Sequence, residues 1–557
     1  MKVLFSMRGG GPRPVRHDPT GTERRPAVRQ RATADLLRSA GRRRRTAALV
    51  FGMLLVQTGL TAQAQVDRLP DLGSADTAEL SGAQEQALGA SIMRELRASG
   101  VVYDDAELAD WLNRFGRRLT VTSPARGRAF EFFPVQDASI NAFALPGGYI
   151  GVHTGLLATA ATESELASVL GHEIGHVTQH HIARMLRNQK NANLLAMAGM
   201  VLGAIAMRGN PDAGMGAIAL SSDLATRSIL SFSRDAEREA DRLGLEMLRE
   251  GGFDVGGAPQ FFGRLQQQSR FSEGELHAYL RTHPVTAERI NDLNLRIQQL
   301  KDKAPKRPDS LEFRLLRARA RALSAQSVDK QNEAQKQFEA ELKTEAGSKD
   351  PALWFGQACL AHVRGDWMAA GKALDQVGRL LDKPHPFVAR LRIANQLRGG
   401  KLEDALKLSA DSLRQFANTR ALVRQRAEVL NAARQWEAAI ALLRDQTRVY
   451  KSDAELWRLL GEAYLAKGEK GMSHLAAAEG YLVLGYLHPA LEQLRLARNA
   501  GDLDYYNGSI ADARLKETEA AWLQEQKDAG RPVPPKLLGD SRAPCWHLKR
   551  LCDAVHR

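Results

Sequence analysis

His172-Glu173-Ile174-Gly175-His176 puts two imidazoles four residues apart with a carboxylate beside the first. On a helix both histidines share a face and can reach one zinc ion, while Glu173 stands where it can take a proton from water at that ion. A surface helix that happens to carry two histidines would show the same five residues. A third ligand decides between these readings.

Candidates for that ligand lie in the stretch from Ser233 to Leu248. At about 100° per residue, Ala236, Ala240, Leu243, Met247 and Leu248 form one apolar stripe, and Glu237 falls inside it. Asp235, Glu239 and Glu246 fall on the far side. An ionised carboxylate on a buried face is costly unless a cation compensates it, so Glu237 is the acid best placed to be a metal ligand. A salt bridge from Glu237 to an arginine of its own helix is the competing use. Asp241, one turn on at the edge of the stripe, is placed to accept a hydrogen bond from a ligand histidine and fix its tautomer. Two histidines and a glutamate with the fourth position open describe a catalytic rather than a structural zinc site.

Elements able to hold such a site are legible around it. Residues 81–99 and 104–119 read as amphipathic helices, and 130–135 and 142–152 read as strands around the Pro146-Gly147-Gly148 turn. The strand from Ala142 would offer an edge on which an extended peptide adds by backbone hydrogen bonds, unless that edge is covered. Residues 194–207 carry no charge and are followed by a Met-rich run to Leu220. The run is too short to span a membrane and reads as a buried helical hairpin, or as an adaptable lid for apolar peptides.

Residues 301–309, Lys-Asp-Lys-Ala-Pro-Lys-Arg-Pro-Asp, read as a linker across which few core contacts pass, so a piece ending near Lys303 is expected to fold alone. Beyond it, helix junctions place Trp367, Leu402 and Trp436 at spacings of 35 and 34 residues, the period of tetratricopeptide repeats. Trp457-x-x-Leu460-Gly461-x-x-Tyr464 matches the first helix of that repeat. Stacked pairs would form a solenoid with a concave surface for peptides or partner helices, with an irregular bundle as the alternative.

The net charge of +14 is mostly local, because residues 1–45 carry 13 Lys and Arg against three acids. Only +4 remains for the rest, so nucleic acid is not an expected partner. Four arginines at 42–45 precede an uncharged run over 46–65 that ends Ala62-Gln63-Ala64. This reads as a secretory signal, with its apolar region at 46–60 and cleavage after Ala64, behind a disordered Arg-rich extension; an uncleaved anchor is the alternative. No cysteine stands at the cleavage site, so the product is expected free of a lipid anchor and without a stable membrane span. Cys359 lies in an apolar helical stretch and reads as an inert core thiol, while Cys545 and Cys552 in the 526–557 tail could pair in an oxidising compartment.

Taken together, Asn141 to Gly148, the 172–176 motif, Glu237-x-x-Ala240-Asp241 and Thr282-His283-Pro284 resemble the CaaX prenyl protease type of zinc metallopeptidases, the HExxH gluzincins, in its exported, repeat-carrying branch. The resemblance covers about residues 70–525. It implies an α+β zincin-type metallopeptidase domain over 65–303, mostly helical with a small sheet, followed by an all-α tetratricopeptide-repeat solenoid over 304–525. It implies one zinc per chain, held by His172, His176 and Glu237, with Glu173 as general base and Asp241 supporting a ligand. His283 is implied near the metal, aiding catalysis or holding the enzyme latent, and Asn141, Ala142, Phe143 and Ala144 at the substrate. Unfolded or misassembled polypeptides of the periplasm are the implied substrates, and outer-membrane assembly machinery the implied partner of the repeats. His180 departs from the pattern, since the family more often has a basic residue before its histidine, here His181. At i+4 from His176, His180 could compete for metal. A chaperone-like repeat scaffold with a latent or structural zinc site is the other functional class, but a purely structural site has no use for a base such as Glu173.

Overall fold

The computed structural model describes residues 81–121, 125–188, 233–269, 277–300 and 307–528. The expected export signal, the apolar run from 194 to 220, and Cys545 with Cys552 lie outside the described residues. Helix α1, Gly82–Ala98, begins at Ser81, whose hydroxyl accepts from the Gln84 amide while the Gln84 side chain accepts from the Ser81 amide. Helix α2, Ala106–Thr120, begins at Asp105, whose carboxylate accepts from the Leu108 amide. Its apolar side chains recur three and four apart, so Leu108, Trp111, Leu112, Phe115 and Leu119 share one buried face.

Strand β1, Glu131–Val135, runs parallel to β3, Tyr149–His153, and β2, Ala142–Leu145, pairs antiparallel with β3 on its other side. The β2 to β3 connection passes through Pro146–Gly148, where Gly147 and Gly148 adopt φ of 78° and 86°. A Cβ on Gly148 would lie 2.3 Å from the Ala129 carbonyl oxygen, so the tight turn requires glycine there. In β2, Asn141 accepts from the His153 amide just before the strand, which fixes the alternation. Phe143 and Leu145 then pair with β3, and Ala142 and Ala144 turn their amides and carbonyls away from it.

Among the described residues of the first half there follow helices α3, Thr154–Thr159, α4, Glu163–Thr178, α5, His181–Asn188, α6, Arg234–Glu250, α7, Gly257–Ser269, α8, His277–Thr282, and α9, Ala287–Leu300. Helix α4 is buried along most of its length. It meets α6 through small residues: a Cβ on Gly175 would stand 3.0 Å from the Ala240 Cα, and one on Gly171 3.3 Å from the Gly244 Cα. Glycines at i and i+4 thus bring two helix backbones together on the side where His172 and His176 sit.

In the second half, Trp367, Leu402 and Trp436 each begin the second helix of a pair: Trp367–Leu380, Leu402–Gln415 and Trp436–Val449. The turns before them use a left-handed residue, Gly365, Gly400 and Arg434, at φ of 76°, 76° and 56°. Leu460, Gly461 and Tyr464 are buried on Ala454–Lys467, the helix of the expected motif. Cys359 is a buried free thiol whose pKa burial pushes up to about 12, which leaves it inert. No helix among the described residues is long and apolar enough to cross a membrane.

The core does not stop at the linker. One apolar cluster runs from Trp111 and Phe115 through Ile174 and Phe261 to Phe313, Phe338, Phe355 and Leu391. Phe313 stacks against Trp111 with ring centroids 6.3 Å apart. The expectation that few core contacts cross near Lys303 is therefore corrected. The helix Leu311–Ser324 buries Phe313, Leu315 and Leu316, and this apolar face is covered by α2 and α3 as well as by the repeats. Ion pairs cross as well: Arg319 meets Asp105 and Glu107, Arg390 meets Glu107, and Arg424 meets Asp104. At the far end of the repeats the Tyr486 hydroxyl donates to the Arg94 carbonyl on α1, and Glu525 pairs with the Arg94 guanidinium.

Candidate active site

Helix α4 starts at Thr162, whose hydroxyl accepts from the Glu165 amide, and carries His172, Glu173 and His176 in its buried second half. Helix α6 starts at Ser233, which caps the Ala236 amide, and presents Glu237 and Asp241 on its buried side. His283 follows α8, tied by its amide to the Tyr279 carbonyl at 2.8 Å. Ligand atoms of His172, His176, Glu237 and His283 all lie within 4.8 Å of one another, and all four residues are buried.

The pairwise distances are those of a convergent cluster. Nε2 of His172 is 2.9 Å from Nε2 of His176 and 3.2 Å from Nδ1 of His283. Glu237 reaches Nε2 of His172 and Nε2 of His176 at 3.4 Å each, and Nδ1 of His283 at 3.0 Å. Two ring nitrogens in contact can share at most one proton, and here Nε2 of His172 faces two others. Three nitrogens and a carboxylate oxygen turned on one point are instead a donor set for a borderline divalent cation.

Electrostatics lead to the same conclusion. Burial opposes charge on His172, but Glu237 and Asp241 outweigh it and raise its pKa to about 9. Burial alone would raise Glu237, yet His283 and His172 hold it well below the usual carboxylate range. Burial, helped by His172 and His283, drives His176 far down. The carboxylate demands positive charge at the cluster, and a bound cation would supply it in place of a proton on His172.

Residues 106–297 match the family model described as peptidase family M48. A beta-barrel assembly-enhancing protease of Yersinia pestis is 31% identical over 467 residues, 81% of this chain and 91% of that protein. The chain belongs to peptidase family M48. Its likeness to the beta-barrel assembly-enhancing protease of Escherichia coli strain K12, 29% over 490 residues, covers 86% of this chain and 96% of that one. The metalloprotease LoiP of the same organism is 28% identical over 226 residues, 39% of this chain and 82% of its own length. The solved structure of yeast Tom70 covers 67% of this chain at 12% identity, with a TM-score of 0.26. As an M48 peptidase, the chain is a metalloendopeptidase.

Around the M48 motif the sequence expectations fare unevenly. Asp241 lies 2.9 Å from Nδ1 of His172, as its place on the stripe suggests. Glu237 meets the histidines, and it also meets an arginine, though not by the salt bridge within its own helix that was the competing expectation. That arginine is Arg289 of α9, not a helix neighbour, with Nη1 2.7 Å from Glu237 and donating to the Pro284 carbonyl. His180 does not join the cluster. Its φ of 52° lies beyond the end of α4, turning it off the His172 and His176 face, and its Nδ1 is 3.1 Å from Glu85. Glu173 is fully buried, with neither carboxylate oxygen hydrogen-bonded and Oε1 3.4 Å from Nε2 of His283. Burial raises its pKa against the pull of His283 and His172, and the Ala144 amide of β2 is close enough to lower it.

Three participants carry no spacing signal. Arg289 donates from Nε and Nη2 to both oxygens of Asp241 at 2.7 Å each, clamping the partner of His172. Tyr279 stacks on His283 at 4.9 Å. His181 sits against His176. The glycines at 171, 175 and 244 were a readable sign, because small residues at helical spacing mark close helix packing.

Proposed function

We propose that the chain is a zinc endopeptidase of the bacterial periplasm that degrades unfolded or misassembled outer-membrane proteins and assists their assembly, with its repeats as the docking module. The observation that carries the enzymatic part is the convergence of His172, His176 and Glu237 beside the fully buried carboxylate of Glu173. The relatives named for beta-barrel assembly, matched over most of both chains, support the biological part. The charge-poor run ending at Ala64 supports export.

His172, His176 and Glu237 would hold the zinc, whose chemistry is to polarise the scissile carbonyl and make water more acidic. Glu173 takes a proton from the attacking water at a carboxylate oxygen. As the water oxygen bonds to the carbonyl carbon and the C–N bond breaks, Glu173 returns that proton to the leaving amine. Ala142 and Ala144 on β2 turn their backbone groups away from β3, on the side where the Ala144 amide approaches Glu173. An extended substrate pairing there is held by its backbone with little demand on sequence, which suits unfolded chains. Asn141 and Phe143 set that strand in place, Asn141 through its bond from His153 and Phe143 by edge packing on Phe133 at 5.8 Å.

The position of His283 favours a second reading of the same site at rest, in which its imidazole takes the remaining ligand position and the repeats act as a binding scaffold. The test measures zinc by elemental analysis and cleavage of an unfolded polypeptide, with wild type beside Glu173→Gln and His283→Ala. Glu173→Gln should keep zinc and lose roughly 10²- to 10⁴-fold in hydrolysis. Undiminished digestion by it would sink the enzymatic reading. His283→Ala should raise activity if the imidazole blocks the site and lower it if the imidazole serves the transition state.

A further inference from the structure

Of the two α4 histidines, His172 has an evident support: its Nδ1 meets Asp241, which Arg289 clamps. His176 has a longer one. Its Nδ1 is 2.8 Å from Nδ1 of His181, the first residue of α5. Nε2 of His181 is 3.1 Å from Oε2 of Glu239, and Nη2 of Arg184 donates to the same oxygen at 2.9 Å. The left-handed turn at His180 brings His181 back under His176, and the His181 side chain is about 1% exposed.

With neutral rings, only one assignment of protons satisfies these contacts. Nε2 of His176 faces the cluster and must offer its lone pair there, so the ring proton sits on Nδ1 and is donated to Nδ1 of His181. That leaves the His181 proton on Nε2, where it is donated to Glu239, whose charge Arg184 balances. Both supporting carboxylates, Asp241 and Glu239, come from α6, and each is anchored by an arginine from another helix.

We infer that His181 and Glu239 are positioning residues that act in series to hold His176 in its metal-binding tautomer, doing for His176 through one intervening ring what Asp241 does directly for His172. The inference rests on the reading of His176 as a ligand. Glu239 stands on the far side of α6 from the apolar stripe, yet that face reaches the site through His181.

The experiment measures zinc affinity of the full-length protein by chelator competition, together with the visible spectrum of the cobalt-loaded form. Circular dichroism monitors the fold. His176→Ala tests the underlying reading: if it binds zinc like wild type, His176 is not a ligand and that reading fails by itself. Given loss of zinc there, His181→Ala should weaken zinc about 10- to 100-fold and shift the cobalt bands. His181→Asn, whose side-chain oxygen can accept from Nδ1 of His176, should recover most of the affinity and the spectrum. Glu239→Ala should weaken zinc by less than His181→Ala. Zinc affinity within threefold of wild type in His181→Ala would overturn the inference, as would equal weakening in the Ala and Asn variants.

Discussion

Two clusters of buried charge, one at the start of α2 and one on α4 and α6, are built to different rules. In the cluster that joins the halves, Asp105 and Glu107 are each met by Arg319, and Glu107 also by Nε of Arg390 at 2.9 Å. Each buried charge there has an opposite charge supplied by the chain. In the cluster on α4 and α6, ring nitrogens face each other and both oxygens of Glu173 lack a hydrogen bond. Buried polar groups are normally satisfied, so a set left wanting is where the fold has kept room for something it does not itself provide. The first cluster answers for architecture and the second for chemistry.

The severest way to break that contrast is to cut the chain after Lys303. The cut strips Trp111 of Phe313 and strands Asp105 and Glu107 without their arginines. The expected outcome is a truncated protein without native circular dichroism or soluble yield. A soluble, zinc-binding truncation would show that the joining cluster is dispensable.

Glu237→Ala addresses the second cluster. Bound zinc, read by elemental analysis, should fall by more than the 10- to 100-fold that outer positions cost, while the melting behaviour of the metal-free protein changes little or improves. Retention of zinc would remove Glu237 from the ligand set.

Arg319→Ala should cost about 3–5 kcal/mol in urea unfolding, since it takes from two buried carboxylates the arginine that both meet and leaves them only Arg390. The same cluster sets a pH dependence. Burial would raise the Asp105 pKa from 3.8, but Arg319 and Arg390 outweigh it and hold it well below that value. A depressed folded pKa contributes stability above the unfolded value that is lost as pH falls beneath it. The urea midpoint of wild type should therefore drop as pH is lowered from about 4 to 2, and the drop should be shallower in Arg319→Ala. A steeper acid loss in the variant would contradict the pairing.

Gly175→Ala is milder. Its methyl would press on Ala240, where α4 and α6 touch, and should cost about 1–3 kcal/mol with weaker zinc binding. Unchanged zinc affinity would mean that the helix spacing tolerates adjustment. Lys349→Ala, at the exposed pair with Glu345, should change nothing measurable, and a detectable effect would blur the line drawn between buried and exposed charge.

Much of this could be read from the chain because it is recorded in local spacing. The 172–176 motif and Glu237 inside an apolar stripe are statements about neighbours a few positions apart, and Trp367, Leu402 and Trp436 recur at a fixed period. Arg289 and Arg319 are different. Arg289 finds Asp241 from 48 residues away, and Arg319 finds Glu107 from 212, so no periodicity records either choice. The shared core was missed for a related reason. A Pro- and Lys-rich stretch reports that helix is interrupted at that point, but says nothing of whether the apolar faces on either side meet again. Glu239 was placed on the correct face of its helix, yet its link to the site depends on the turn at His180, whose left-handed backbone is rare for histidine.

The contact between Arg94 and Glu525 joins residues 431 positions apart. A polypeptide emerging from its first residue onward has made α1 long before it has made the helix Tyr505–Asp528 that helps to hold it. The peptidase half can thus complete its outer seam only when the final repeats have arrived, and contacts of such long range make the closing step slow. The last contacts of the site-bearing half come from the chain's own far end.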